Sequence, residues 1–270
     1  MRLNTVESNL EADAPQRWVG TSPEGLASAM VLAAGRGERM RPLTDTTPKP
    51  MLEVHGKPLM QWHMEALAKA GHPDQLINTA WLGPQIEAYF GLNPNLPNGG
   101  RVRLRYSHEG KEFGYALETA GGIVRALPFL APVFWVVAGD IYAPQFDFAP
   151  AIAKEFVRSD KLAHIWMVPN PAHNPKGDFG LSSEGLALNL PKPATLFTFS
   201  TLALYKKEFF ATALTGLPEG NPQGKSAPLA SLLRAAMDRG MVSASLYTGA
   251  WTDVGTPERL RDLNQSPATP

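Results

Sequence analysis

The chain contains no cysteine among its 270 residues, and this absence excludes several kinds of chemistry. Disulfides, thiolate metal ligands and a cysteine nucleophile are all ruled out. An excess of one charge is also missing, because 25 Lys and Arg residues balance 25 Asp and Glu residues. A neutral chain has no general attraction to nucleic acid or to an anionic membrane. No apolar run approaches the roughly 20 residues that span a bilayer.

The first 27 residues mix acids, proline, glycine and serine without hydrophobic periodicity. We therefore expect residues 1–27 to form a mobile extension and residues 28–265 to form one domain. The polar, acidic start is unlike a signal peptide, which favours a cytoplasmic protein. With 44% hydrophobic residues, the chain has enough apolar side chains for a substantial core. Its alternating strand and helix patterns predict an α/β fold with a largely parallel sheet.

An apolar run at Ala29–Ala34 predicts a buried strand that ends in a cationic, glycine-bearing turn. Gly35 and Gly37 lack a β-carbon, so their backbone amides can approach a polyphosphate closely. Arg36 and Arg39 add positive charge, and a guanidinium suits phosphate oxygens in shape as well as in charge. The turn therefore predicts a triphosphate-binding loop.

Lys49 lies between Pro48 and Pro50, shortly after this loop. The two prolines predict an extended segment that aims the lysine charge at one place. A dinucleotide-binding fingerprint would place a third glycine at Met40, and it would need neither the arginines nor the fixed lysine. The pattern therefore favours a nucleoside triphosphate.

Two aspartates are candidate metal ligands, one after a predicted strand and one before a predicted helix. Asp140 comes directly after the apolar strand predicted at Phe134–Ala138, and ligands in open α/β sheets bind beyond the carboxyl ends of strands. Asp253 precedes Thr256 and Pro257, which read as the N-cap and first residue of a helix. Two carboxylates are hard oxygen ligands of the kind that magnesium prefers.

Two further segments predict helices. Leu117–Gly122 reads LETAGG, and its glycines let a nucleobase or ribose lie against the start of a helix predicted over Gly122–Leu127. A second helix is predicted within Lys225–Met237, with Arg234 on its solvent-facing side.

The segments LAAGRGERMRPLT, TPKP, LETAGG and WTDVGTPERL together resemble the sugar-1-phosphate nucleotidyltransferase family, from about Met30 to Leu263. The resemblance implies a Rossmann-like three-layer α/β/α sandwich with a mixed, mostly parallel sheet. A small β-rich insertion around Asp178–Tyr205 would form the sugar side of the cleft. The implied reaction transfers a uridylyl group from UTP to a sugar 1-phosphate and releases pyrophosphate, with Mg²⁺ as the cofactor. The implied oligomeric state is a monomer or a weak homo-oligomer.

The resemblance also implies roles for particular residues. Arg39 and Lys49 would be catalytic, Asp140 and Asp253 would hold magnesium, and two residues would bind the sugar, Asp178 and Thr198. The nucleotide would be bound by residues of the two glycine-bearing segments and by the fixed lysine: Ala34, Gly35, Arg36, Gly37, Lys49, Leu117, Glu118 and Gly121. Thr201 stands where related enzymes have a glycine, so the local backbone contact is expected to differ.

The segment Lys176–Gly180, KGDFG, lacks the glutamate–lysine pair with which many family members grip a hexose 1-phosphate. This pattern resembles the branch that acts on N-acetylmuramic acid 1-phosphate. The lactyl carboxylate of that sugar favours a partly basic pocket, and Lys176 or Lys192 is expected to supply the charge. A general hexose-1-phosphate enzyme using UTP, dTTP or GTP remains an alternative, because thymidine and guanosine enzymes share most of these motifs.

Two alternatives come from other functional classes. A non-catalytic nucleotide-sugar regulator is expected to lose Lys49 or one of the two metal aspartates, and this chain keeps all three. A nicotinamide-dependent oxidoreductase needs the third glycine and an acidic residue after the second strand, whereas Asp74 lies before that strand.

Overall fold

The computed structural model describes residues 26–190 and 195–267. The predicted N-terminal extension up to residue 25 and the prediction for Lys192 lie outside these residues. The described strands are β1 (Ala27–Ala33), β2 (Glu53–Val54), β3 (Lys57–Pro58), β4 (Asp74–Thr79), β5 (Asn95–Leu96), β6 (Gly100–Arg101), β7 (Arg103–His108), β8 (Leu130–Ala138), β9 (Ile141–Tyr142), β10 (Ala163–Val168), β11 (Phe179–Leu181), β12 (Ala187–Leu188), β13 (Leu196–Lys206), β14 (Val242–Leu246) and β15 (Thr252–Asp253).

The described helices lie between these strands. They are α1 (Leu43–Thr46), α2 (Leu59–Lys69), α3 (Gly83–Phe90), α4 (Glu109–Phe113), α5 (Glu118–Ala126), α6 (Pro150–Arg158), α7 (Thr212–Thr215), α8 (Leu229–Met237) and α9 (Pro257–Gln265). Within the same ranges, no helix is both long and apolar enough to cross a membrane.

A mixed nine-stranded sheet forms the centre of the molecule. Its main order is β12-β11-β13-β8-β1-β4-β7, with β10 paired to β13 and β14 paired to β10. Strands β8, β1, β4 and β7 are parallel, whereas β13 runs antiparallel to β8 and to β10. The carboxyl ends of the four parallel strands therefore meet at one edge, which is where open α/β sheets bind ligands.

Helices cover both faces of this sheet, and this explains why its central strands are nearly all apolar. On one face, Met30 and Val136 pack with side chains of α5 and α8. On the other face, Val31 and Trp135 pack with side chains of α2. Successive residues of β1 and β8 thus enter different apolar layers, which confirms the predicted three-layer sandwich.

Two local predictions need correction. Helix α5 begins at Glu118 rather than Gly122, so the glycines of LETAGG lie inside the helix. Lys49 does not lie in an extended segment but begins a 3₁₀ turn over Lys49–Met51, because proline fits the first turn of a helix. The β-rich region predicted around Asp178–Tyr205 is present as β11, β12 and β13, and it joins the main sheet because β11 pairs with β13 and β13 pairs with β8.

Candidate active site

A cavity of about 840 Å³ opens at the carboxyl edge of β1 and β8. This volume is within the usual range for small-molecule sites. The residues predicted from the sequence that line it are Ala34, Gly35, Gly37, Arg39, Lys49, Glu118, Asp140 and Asp178. The predicted residues outside that lining are Arg36, Leu117, Gly121, Thr198 and Asp253.

The loop after β1 presents its backbone to the cavity at Gly35 and Gly37. A β-carbon at Gly35 would have no atom within 4 Å, so this backbone faces open space. Gly37 has a φ of +68°, a conformation that L side chains rarely adopt, and a β-carbon there would lie 3.0 Å from Cβ of Lys49. The Thr44 hydroxyl donates a 2.8 Å hydrogen bond to the Gly37 carbonyl and holds the turn. Gly35 therefore offers access to the cavity, while Gly37 allows the loop to pack on Lys49.

The arginines of this loop take different positions. The guanidinium of Arg36 lies over the Trp81 ring, 3.7 Å from its centroid, and the residue does not line the cavity. Arg39 is exposed and lines the cavity. Of the two, Arg39 is placed to meet an anion in the cavity, whereas Arg36 braces the loop from outside.

Lys49 and Asp140 are 91 residues apart in sequence and meet at the cavity wall. The Lys49 Nζ lies 2.6 Å from Oδ2 of Asp140, and Lys49 is only 8% exposed. Asp140 is held at the end of β8 because the backbone N–H of Gly139 donates to the Leu32 carbonyl at 2.8 Å. The lysine charge is therefore fixed by a carboxylate before any substrate is present. This ion pair was not predicted from the sequence.

Asp253 lies beside Asp140 through the backbone. Strand β15 pairs with β9, and the Val254 N–H donates to the Asp140 carbonyl at 3.1 Å. The Asp253 carboxylate accepts a 2.9 Å hydrogen bond from Nη1 of Arg259, with Nε2 of His173 3.4 Å away. The fold thus brings Asp253, in β15, next to the turn that carries Asp140, although Asp253 itself does not line the cavity.

The donor set fits the magnesium ion that the resemblance implies. No group of three or more His, Asp or Glu side chains in the described residues forms a ready metal site. Mg²⁺ needs no such group, because it commonly takes one or two carboxylates together with water and substrate phosphate oxygens. The side chains of Asp140 and Asp253 are 35% and 24% exposed, so both can be reached from solvent.

Two polar residues that were not predicted from the sequence line the cavity near the loop after β1. Asn78, in β4, accepts a hydrogen bond from the Ala33 N–H at 2.9 Å and donates to Oε1 of Glu109 at 2.7 Å. The other oxygen of Glu109 accepts from the Leu117 N–H at 2.7 Å. Burial raises the pKa of the Glu109 carboxyl, and these hydrogen bonds oppose that rise. This network ties the end of β1 to the start of α5.

A sequence signal for both residues did exist. Asn78 is near the carboxyl end of β4 and Glu109 directly follows β7, so both are at the same sheet edge as Asp140. This signal can be recognised only when the order of the parallel strands in the sheet is known.

The LETAGG segment contributes to the cavity mainly through Glu118 and Thr119. Glu118 has a φ of +61°, which is strained for a residue with a β-carbon. Gly121 faces away from the cavity lining, and a β-carbon there would lie 2.7 Å from the Lys225 carbonyl oxygen. At Gly122 a β-carbon would lie 2.5 Å from Oε1 of Glu109. The two glycines therefore allow close packing of α5. Gly121 and Leu117 do not line the cavity themselves.

The predicted sugar-side residues form one hydrogen-bonded group. The Asp178 carboxylate accepts from the Phe199 N–H at 2.9 Å and from the Asn174 side chain at 3.2 Å. The Thr198 hydroxyl, buried behind it, donates to Oδ1 of Asn170 at 3.0 Å. Asp178 lines the cavity, and Thr198 supports the loop that carries Asn170 and Asn174.

Thr201 lines the same side of the cavity with a φ of +64°. The register of β10 against β13 shifts opposite this point, between Ile165 and Met167. Thr201 thus replaces the glycine that related enzymes have at this position, but its backbone keeps a left-handed conformation rather than an ordinary strand conformation.

Arg234 was predicted on the solvent-facing side of its helix, and this prediction is wrong. The residue is half-buried and lines the cavity from α8. Its Nη1 donates to Oδ1 of Asn189 at 2.6 Å, and its Nη2 lies 3.4 Å from the Asp178 carbonyl oxygen. Leu233 and Met237 bury the other side of α8 in the core, which directs Arg234 along the edge of the sheet.

Comparison with known proteins agrees with this site. Residues 28–269 match the family described as nucleotidyl transferase. The chain belongs to that family. This nucleotidyltransferase is 43% identical over 236 residues to the N-acetylmuramate α-1-phosphate uridylyltransferase of Neisseria meningitidis serogroup B, a match that covers 87% of this chain and 95% of that protein. It is 41% identical to the protein of the same name from Caulobacter vibrioides, with 85% and 92% covered.

Solved structures confirm the Rossmann-like α/β fold of this nucleotidyltransferase. A Bacillus anthracis protein in complex with a sucrose superimposes with a TM-score of 0.70 at 20% identity, covering 88% of this chain and 94% of that one. HddC from Yersinia pseudotuberculosis, complexed with GMP-PN, gives 0.64 at 21% identity, with 88% and 97% covered. Membership of the family rules out the nicotinamide-dependent oxidoreductase alternative.

Proposed function

We propose that this enzyme transfers the uridylyl group of UTP to N-acetylmuramic acid 1-phosphate, giving UDP-N-acetylmuramic acid and pyrophosphate. The observation that carries the proposal is the agreement, over nearly their full length, with two relatives named for this reaction. The cavity supports it, because a backbone-lined loop and a fixed lysine lie together at the sheet edge. A substrate drawn from the UTP pool fits a cytoplasmic enzyme.

The bond changes need no nucleophilic side chain. An oxygen of the sugar phosphate attacks the α-phosphorus of UTP, a new P–O bond forms, and the bond to the bridging oxygen of the β-phosphate breaks. Pyrophosphate leaves with that electron pair. Because the attacking phosphate already carries negative charge, the protein has to align the reactants and stabilise charge.

The loop after β1 and Arg39 would bind the β- and γ-phosphates. Gly35 exposes its backbone to the cavity, and Arg39 brings an exposed guanidinium to the same wall. Backbone N–H groups and arginine are suited to phosphate oxygens.

Lys49 would bind the α-phosphate and the incoming sugar phosphate together. Its hydrogen bond to Asp140 fixes the ammonium group at the cavity wall, so little reorientation is needed when the reactants arrive. The lysine opposes the charge that gathers as two phosphate groups approach each other.

Asp140 and Asp253 would hold the magnesium ion. Bound there, Mg²⁺ would supply Lewis-acid stabilisation of phosphate oxygens. Asp178 and the group that includes Thr198 would orient the sugar, since the Asp178 carboxylate lines the cavity and is fixed by Asn174 and the Phe199 N–H.

The test is pyrophosphate release across a grid of UTP, dTTP and GTP with the 1-phosphates of N-acetylmuramic acid, N-acetylglucosamine and glucose. We expect the highest kcat/KM for UTP with N-acetylmuramic acid 1-phosphate, and loss of turnover when EDTA replaces Mg²⁺. A higher value for glucose 1-phosphate would assign the protein to the general hexose enzymes. Binding of UTP without turnover of any sugar phosphate would instead identify a regulator.

A further inference from the structure

Arg234 is the feature of the cavity that the proposed reaction leaves without a role. It projects from α8 beside Asp178 and Phe179, with its guanidinium carbon 4.9 Å from the centroid of the Phe179 ring. Neutral acceptors hold one end of the guanidinium: Nη1 donates to the side-chain and backbone oxygens of Asn189, at 2.6 and 3.3 Å. The cation is therefore packed and oriented without substrate.

The charge of Arg234 is not neutralised within the described residues. No carboxylate there forms an ion pair with it, and its Nε donates to no acceptor. The neighbouring carboxylate of Asp178 is occupied by Asn174 and by the Phe199 N–H. Among the described residues three cations line the cavity, and of the other two Lys49 is paired with Asp140 while Arg39 lies in the loop after β1. On the sugar side, Arg234 is thus a half-buried cation that pairs with no carboxylate of the described residues.

We propose that Arg234 binds the lactyl carboxylate of N-acetylmuramic acid 1-phosphate and so selects this sugar over neutral N-acetylhexosamines. This assignment rests on the proposed function. The substrate has one anion besides its phosphate, and the Nε and Nη2 edge of a guanidinium matches a carboxylate with two parallel hydrogen bonds. Within residues 26–190 and 195–267, Nη2 is the one atom of that edge with a protein contact, at 3.4 Å, which is long for a hydrogen bond.

The other cations near the sugar side fit this role less well. Lys176, one of the two lysines expected to supply the charge, is exposed and does not line the cavity. Arg259 already forms an ion pair with Asp253 at 2.9 Å. An exposed lysine adds little binding energy, whereas a half-buried arginine held by neutral groups keeps most of its attraction for an anion.

The test compares Arg234→Gln and Arg234→Lys with wild type, using Lys176→Gln as the matched control on the exposed neighbouring loop. For each protein, kcat/KM is measured at saturating UTP for N-acetylmuramic acid 1-phosphate and for its lactyl amide, which keeps the size and removes the charge. N-acetylglucosamine 1-phosphate is added as a substrate or, if it is not turned over, as a competitive inhibitor with its Ki.

We expect Arg234→Gln to lower kcat/KM for the muramic acid substrate by roughly 10- to 100-fold, mainly through KM, because a hydrogen bond between charged groups is lost. The lactyl amide should change far less, Arg234→Lys should recover part of the loss, and Lys176→Gln should behave as wild type. An equal fall for all three sugars would show that Arg234 only supports Asp178 and Asn189, and no fall would show that it is a bystander. Either result overturns the assignment, whereas failure of wild type to use the muramic acid substrate overturns the proposed function itself.

Discussion

Thr201 has a φ of +64°, in the left-handed region that β-branched residues rarely adopt. Its hydroxyl donates to the Ser200 carbonyl at 2.6 Å, and the Ser200 carbonyl also accepts from the Trp251 indole at 3.1 Å. The surrounding hydrogen bonds therefore hold the residue in a conformation that a glycine would adopt at no steric cost.

We expect Thr201→Gly to raise the free energy of unfolding by about 0.5–1 kcal/mol, because relief of the left-handed strain exceeds the added entropy of glycine in the unfolded chain. Thr201→Ala keeps the β-carbon and should gain little. Urea unfolding of the three proteins measures the effect. If Thr201→Gly instead lowers the free energy of unfolding, the left-handed conformation of Thr201 does not destabilise the protein.

At the level of single residues, sequence motifs located the cavity but not its contacts. Asp140 was predicted from a strand end and Lys49 from its flanking prolines, whereas Asp178 was predicted only from the family resemblance. The ion pair between Lys49 and Asp140 joins residues 91 positions apart, and no local pattern specifies it. Side-chain packing between distant elements likewise decides that Arg36 lies over Trp81 and that Arg234 lines the cavity.

Helix α5 shows how one element connects the cavity wall to the core. Its first turn carries the strained Glu118, its interior packs closely on residues 225–227, and the Ala120 N–H donates to the Ala227 carbonyl at 3.0 Å. The sequence predicted the glycines as a nucleotide-contacting helix start. That role stays a prediction, and the close packing of the glycines was not predicted, because residues 225–227 lie about a hundred positions later in the chain.

We expect Gly121→Ala to lower the free energy of unfolding by roughly 1–3 kcal/mol, since the new methyl group would meet the Lys225 carbonyl oxygen at 2.7 Å. Gly35→Ala is the matched control: it has open space around it, so stability should be unchanged while KM for UTP rises. Thermal unfolding and UTP titration separate the two effects. Equal loss of stability in both variants would contradict the conclusion that Gly121 serves packing of α5 whereas Gly35 opens to the cavity.

The strands were the elements most accessible from sequence. The strand predicted at Ala29–Ala34 is β1 (Ala27–Ala33), and the strand predicted at Phe134–Ala138 forms the last five residues of β8 (Leu130–Ala138), because apolar stretches bounded by turn residues are strong signals. The pairing of β13 antiparallel to β8, and of β10 parallel to β14, was not predicted, since it depends on contacts between distant segments.

The stability of the whole molecule should depend on pH through buried histidines. His63 is 1% exposed beneath the site, where its Nε2 lies 2.8 Å from the Ile141 carbonyl oxygen, and burial lowers its pKa from 6.5 to about 4. Burial likewise lowers the pKa of His164 to about 4. Below pH 6.5 the unfolded chain binds protons that the folded chain does not, so stability falls as pH drops from about 6.5 to 4.

We expect His63→Gln to lose less free energy of unfolding over this pH range than wild type, by up to about 3 kcal/mol for a fully expressed shift. Glutamine can donate to the Ile141 carbonyl and does not titrate. The raised pKa of Glu109 acts with the opposite sign, but it is common to both proteins and cancels in the difference. Urea unfolding at pH 7, 5.5 and 4.5 measures the effect, and parallel losses in both proteins would show that His63 does not contribute.

The measurement that tests the account most directly is the turnover number of Lys49→Ala with UTP and N-acetylmuramic acid 1-phosphate. Lys57→Ala is the control, because Lys57 forms a lysine–carboxylate pair with Glu65 and does not line the cavity. We predict that Lys49→Ala lowers kcat by roughly 10²–10³ while the protein still unfolds cooperatively, since a fixed cation at the reacting phosphates is lost. Lys57→Ala should lower Tm and leave kcat unchanged. Turnover by Lys49→Ala within about threefold of wild type would contradict the claim that uridylyl transfer takes place in this cavity.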